Sequence, residues 1–174
     1  VGMFFYIFFR FRRWQFGLGS LVSLAHDVIV VLGLYSILQG VMPFSMDIDQ
    51  SFIAAILTVV GYSINDTVVI FDRIREYLPI YRKRTKREVY NMALNSTLAR
   101  TLNTGMATIF VLIVIFIFGG EVIRGFVFAL LFGIVFGTYS SLFVSTPVLY
   151  ETTRGKDDDE AVPVEAEKKK KIAG

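Results

Sequence analysis

Four ionisable side chains stand in or at the edge of apolar stretches of this sequence: His26 and Asp27 in one, Asp66 in a second, Arg100 at the start of a third. An ionised carboxylate in hydrocarbon costs at least about 2.5–3.5 kcal/mol, so an acid placed there is neutral, hydrated or paired. Asp66 precedes the charged group at Asp72 and Arg73 by about two helical turns, roughly 10 Å below a membrane surface. Its side chain is too short to reach water from that depth. Burial disfavours the carboxylate and a nearby guanidinium favours it, so an Asp66 facing Arg100 is poised to take up and release a proton as helices move. A static Asp66–Arg100 ion pair, or a hydrogen bond between helices, is the alternative. Asn65 and Thr67 flank the acid, and Thr97, Thr101, Thr104 and Thr108 share one face of the helix that carries Arg100, enough polar groups to line a narrow path. His26 and Asp27 form a second candidate pair, either relaying protons or hydrogen-bonding a neighbouring helix.

Other chemistries lack their residues. With no cysteine and a single histidine, disulfides, thiol catalysis and Cys- or His-based metal cages are excluded. No serine stands in a nucleophile setting, so no catalytic residue is assigned. Gly17 and Gly19 lack the third glycine and the preceding strand of a dinucleotide fingerprint, and no cofactor is expected beyond the proton as coupling ion. The net charge of +3 is not spread as a Lys/Arg stripe among exposed aromatics, so nucleic acid is not an expected partner.

The elements that must position these residues are membrane spans. The chain is 54% hydrophobic and 19% charged, its charges are gathered in short patches, and its apolar runs reach the roughly 20 residues that cross hydrocarbon. The expected fold is an all-α polytopic transmembrane helix bundle over residues 1–150, with membrane lipid as its solvent. About five spans are expected, near 1–9, 17–38, 52–71, 98–118 and 125–149, the first truncated. A surface helix is expected at about 86–97, and residues 151–174 read as a disordered, charged tail. The basic clusters at Arg10, Arg12 and Arg13, at Arg82 to Arg87, and in the tail fall on one side, which the positive-inside rule makes cytoplasmic. The chain opens in the middle of an apolar run and reads as a fragment or a C-terminal half.

Small residues recur four apart in the last span, at Gly125, Ala129, Gly133, Gly137, Ser141 and Ser145, the pattern that lets helix backbones approach closely in lipid. Ala54, Thr58, Gly61 and Asn65 make a comparable stripe beside Asp66, and that face is expected to be an interface.

Residues 61–76, GYSINDTVVIFDRIRE, resemble the signature of the SecF family of protein-export membrane subunits. Residues 25–28, 97–104 and 133–141 resemble that family's other membrane motifs, and together the matches cover nearly all of the chain except its tail. The resemblance implies a bundle of the resistance-nodulation-division type, SecD as pseudo-symmetric partner, and the SecYEG translocon nearby in a bacterial cytoplasmic membrane. It also implies proton-driven movement of an extracytoplasmic domain, normally placed ahead of Val1 with a first span, that draws emerging preproteins outward. The family's proton-pathway aspartate and arginine fall on Asp66 and Arg100. Another proton-driven exporter of the superfamily, or a passive scaffold for SecD and the translocon, are the competing expectations.

Overall fold

Helix starts in this chain are fixed by short polar signals. Asp49 accepts the Phe52 N–H at 2.9 Å, and Thr85 and Glu88 cap each other reciprocally, Thr85 Oγ1 accepting from the Glu88 amide at 3.2 Å and Glu88 Oε2 from the Thr85 amide at 3.3 Å. Each supplies a partner to N–H groups that a helix start leaves unpaired. The computed structural model describes residues 14–153. Within them run α1 (Trp14–Leu38), α2 (Gln50–Ile80), α3 (Lys86–Phe118), α4 (Glu121–Phe143) and α5 (Ser145–Thr153), with no strand. Past α1 the chain turns at Gly40, whose φ of +84° is a conformation that glycine adopts without strain.

Four helical stretches are long and apolar enough to cross a membrane: α1, α2, α3, and α4 continued by α5. They correspond to the spans expected at 17–38, 52–71, 98–118 and 125–149; the span expected at 1–9 and the tail from residue 154 lie outside the described residues. Two boundaries differ from expectation. The surface helix placed at 86–97 is the first third of α3, one continuous helix of 33 residues. No Gly or Pro separates it from residue 98, and Val89, Tyr90 and Ala93 are buried in the bundle, so the polar segment has no reason to detach. The last span, expected unbroken to 149, is interrupted at Val144. Pro147 explains this: it has no N–H to bond the carbonyl of Phe143 and its ring crowds that carbonyl, so the helix restarts as α5. Ser145 Oγ donates to the Ser141 carbonyl at 2.7 Å and serves an acceptor at the break.

α4 is the inner helix and packs against α1, α2 and α3. Its small residues are what bring it close. A Cβ on Gly133 would stand 2.2 Å from Val59 Cγ2, and one on Gly137 would stand 3.3 Å from Ser63 Cβ. Ala129 is fully buried, as is Ser141, while Gly125 lies against the Ser45 carbonyl, 2.6 Å from where a Cβ would be. The second stripe behaves differently: Ala54, Thr58, Gly61 and Asn65 are all exposed, and α2 meets α4 through Val59, Ser63 and Thr67 instead.

The buried side chains form two apolar clusters. One gathers Tyr35, Phe52, Val59, Phe128 and Ile134; the other gathers Phe16, Phe71, Ile74, Tyr90 and Leu149. Between them lies a layer of buried polar residues contributed by all four long helices, among them Ser23, Asp27, Ser63, Asp66, Thr67, Thr101, Ser140 and Ser141.

Candidate functional site

Asp27 and Asp66 occupy that polar layer from two different helices, and the surroundings treat them differently. Asp27, on α1, is fully buried; Ser63 of α2 donates to its Oδ2 at 2.7 Å, and His26 Nδ1 lies 3.2 Å from its Oδ1. Ser140 of α4 flanks the same carboxylate. Hydroxyls extend the network around it: Ser23 and Ser140 are 3.1 Å apart, Thr67 and Ser141 are 3.0 Å apart, and Ser141 Oγ donates to the Ser63 carbonyl at 3.2 Å. Ser141 Oγ also reaches its own helix at the Gly137 carbonyl, 2.9 Å away. Gly137 makes room for all this, since a Cβ there would stand 3.7 Å from Asp27 Oδ2. His26 is the one member of the network that is partly open to the outside, with a third of its side chain exposed.

Asp66 lies near the midpoint of α2, one turn beyond Ser63, and is 4% exposed. Its Oδ2 is buried and makes no hydrogen bond within the described residues, and the same holds for the Tyr62 hydroxyl and Thr138 Oγ1. Most buried polar atoms in folded proteins are paired, so three unpaired ones mark a place where the fold leaves polar capacity unused. They are distributed along one seam. Tyr62 stands a turn from Asp66 on α2 and near Thr108 of α3, and Thr138 of α4 faces α3 at Gly105, 3.1 Å from where a Cβ would be.

Arg100 comes to Asp66 from across this seam. α2 and α3 are neighbours, and the guanidinium charge acts on the Asp66 carboxyl, but the two make no ion pair within 4.0 Å. Arg100 is itself exposed and borders a cleft of about 200 Å³ together with Asp72, Arg73, Glu76, Ser96 and Thr97. The seam therefore connects a buried acid to a charged, open cleft at the basic end of the bundle.

The structure divides the residues expected at the site. Asp66, Asp27 and Thr67 lie in the polar layer, and His26 borders it. Asn65 does not join them: its side chain is on the exposed face of α2, because neighbours one residue apart on a helix point about 100° away from each other. Thr104 is also exposed; its Oγ1 bonds the Arg100 carbonyl at 2.9 Å, within its own helix. Thr97 and Thr101 are the buried members of that threonine row. Ser140 and Thr138 were not expected, and the signal for them was their place beside the small-residue stripe of α4, which puts them at the same interface.

The model of the family described as protein export membrane protein SecD/SecF, C-terminal, matches residues 1–155. The protein translocase subunit SecF of Rhodothermus marinus is 57% identical over 149 residues, which are 86% of this chain and 48% of that protein. The SecF of Rhodobacter capsulatus is 48% identical over 149 residues, covering 86% of this chain and 43% of its own length. The chain thus spans just under half of these relatives. A crystal structure of SecDF in its super-membrane-facing form aligns over 98% of this chain and 21% of that one, with a TM-score of 0.78 and 36% identity.

Proposed function

This chain belongs to the SecD/SecF C-terminal family of protein-export membrane proteins, and from that premise we propose that it is the proton-responsive membrane part of a SecF-type subunit. In this reading Asp66 takes up a proton from one side of the membrane and releases it to the other. Arg100 stabilises the ionised state. SecD is the partner within the membrane, the SecYEG translocon delivers the preprotein, and the proton motive force drives late steps of translocation across the cytoplasmic membrane. The observation that carries the reading is the unpaired, buried Oδ2 of Asp66 on a seam that leads to Arg100.

The chemistry is proton binding coupled to helix movement, without a covalent step. When Asp66 is neutral, its seam presents no charge to the hydrocarbon and Arg100 remains in its cleft. Ionisation creates a buried charge that draws the guanidinium toward it, and α3 is the element that must yield. One proton crossing 100 mV releases about 2.3 kcal/mol, comparable to the few kcal/mol that separate two states of a bistable helix pair. Asp27 does not take part as a second acceptor, because its hydrogen bonds hold it in one place; it anchors α1 to α2.

Full-length protein in its export complex, reconstituted in vesicles with an imposed proton gradient, tests this. Asp66→Asn is expected to abolish the proton flux that accompanies preprotein export and to leave the translocation seen without a proton gradient intact. Unchanged flux would remove Asp66 from the mechanism. Loss of both activities would indicate a folding defect, which is distinguished by the melting behaviour of the same variant.

A further inference from the structure

On the side of α3 opposite Arg100, a groove of about 380 Å³ opens between α3 and the α4–α5 break. Its volume lies within the range of ligand sites. Leu94, Leu98, Leu142 and Phe143 line one part of it, and Arg87, Asn91 and Asn95 line the other. Leu98 stands twenty residues from the far end of α3 at Phe118, about 30 Å along the axis, which is the thickness of the hydrocarbon layer. The groove therefore runs from the hydrocarbon boundary at Leu98 outward to headgroup level at Arg87, with Arg87, Asn91 and Asn95 along one edge of α3 and Leu94 and Leu98 along the other.

The floor is fixed. Tyr90 and Tyr150 pack edge to face with ring centroids 5.5 Å apart, Tyr90 Oη shares a 3.0 Å hydrogen bond with Thr153 Oγ1, and Lys86 Nζ donates to the Thr153 carbonyl at 2.9 Å. Lys86 is thereby committed to the protein, whereas Arg87 is exposed and makes no ion pair among the described residues.

We propose that this groove binds one anionic phospholipid, with the phosphate on Arg87 and the side-chain amide of Asn91 and an acyl chain along Leu94, Leu98 and Phe143. The two-part lining favours this occupant over a membrane helix of a partner, which at headgroup level would leave the guanidinium against apolar side chains. A guanidinium and primary amides are donors matched to phosphate oxygens. The adjacent loop adds Arg82, Lys83 and Arg84, so the local field attracts anionic lipid to the same end of the bundle. A lipid seated there would bridge α3 to α5 across the break and so hold the N-terminal third of the helix that carries Arg100.

Native mass spectrometry of the full-length protein, incubated with equal amounts of phosphatidylglycerol and phosphatidylcholine, provides the test. Phosphatidylglycerol is expected to be retained preferentially, and Arg87→Gln to lower its retention about fivefold, the effect of roughly 1 kcal/mol from one cationic side chain near an anionic group. Arg84→Gln, which removes an equal charge outside the groove, is expected to change it much less. A photo-crosslinking residue at Leu98 is expected to capture phospholipid by mass. Equal retention of the two lipids, equal losses in the two variants, or capture of a protein segment at Leu98 would each overturn the proposal.

Discussion

Asp27 receives a hydrogen bond from Ser63 at 2.7 Å, whereas Asp66 Oδ2 receives none, although the two acids lie in one buried layer. This contrast predicts opposite mutational signatures. Asp27→Leu removes the acceptor and strands the Ser63 hydroxyl, and an unsatisfied buried polar group costs about 1–3 kcal/mol. Its effect is expected in thermal unfolding of the detergent-solubilised full-length protein, with a clear fall in melting temperature. Asp66→Asn exchanges an unpaired carboxyl for a neutral group of the same shape, so its melting temperature is expected to stay at or above the parent's. A fall comparable to that of Asp27→Leu would mean that Asp66 has a structural partner after all. Asp66 was legible in the sequence as a charge where hydrocarbon excludes one, and Arg100 as a cation at the start of a span, which the structure puts on the neighbouring helix without an ion pair between them. Ser63 was legible as a polar neighbour of Asp66 but not as the donor to Asp27, and Ser140 was not legible, because a membrane serine usually bonds its own helix, as Ser141 does at the Gly137 carbonyl. Only the arrangement of α1, α2 and α4 reveals which hydroxyls turn toward an acid.

The same distinction between sequence pattern and spatial neighbour decides how the helices pack. Two small-residue stripes look alike in the sequence, yet the one on α4 is closed against Val59 and Ser63, and the one on α2 faces outward. Spacing places residues on a common face; it does not say what the face meets. Gly133→Ala is therefore expected to destabilise the protein, since its Cβ would stand 2.2 Å from Val59 Cγ2 and overpacking of this kind costs about 1–3 kcal/mol. Val59→Ala in the same molecule is expected to recover part of the loss by clearing the obstructing methyl. Gly61→Ala meets nothing within 4 Å and gains up to about 1 kcal/mol of helix propensity. Unfolding of the three variants in one detergent checks the ranking, and a Gly133→Ala protein as stable as Gly61→Ala would show that α4 can shift away from α2. The break at Val144 was hidden for a related reason: Pro147 was visible, but the apolar run on either side of it read as one span.

At the scale of the whole molecule, the bundle was the most legible feature, since a span is a collective property of some twenty side chains and survives errors at either end. The depth of the polar layer was partly legible, through Asp66 and Asp27. What hydropathy could not contain was the continuity of α3, because a helix that leaves the hydrocarbon remains a helix when its inner face stays buried, as Val89, Tyr90 and Ala93 are. That continuity makes α3 one helix of 33 residues, joining the Arg100 region to the basic loop at one end and to the Gly119–Gly120 turn at the other. We propose its orientation from charge: the loop between α2 and α3 holds Arg82, Lys83 and Arg84, while the stretch from Gly119 to Arg124 holds one basic residue, Arg124, beside Glu121, which by the positive-inside rule favours the first in the cytoplasm and the second outside. The absence of cysteine from this chain makes the orientation directly measurable. In full-length protein stripped of cysteine elsewhere, Lys83→Cys is expected to react with an impermeant maleimide only in inverted vesicles, and Gly120→Cys only in intact cells. Labelling of both positions from the same side would contradict the four-span arrangement, and reversed sidedness would place the cleft at Arg100 on the face from which protons enter.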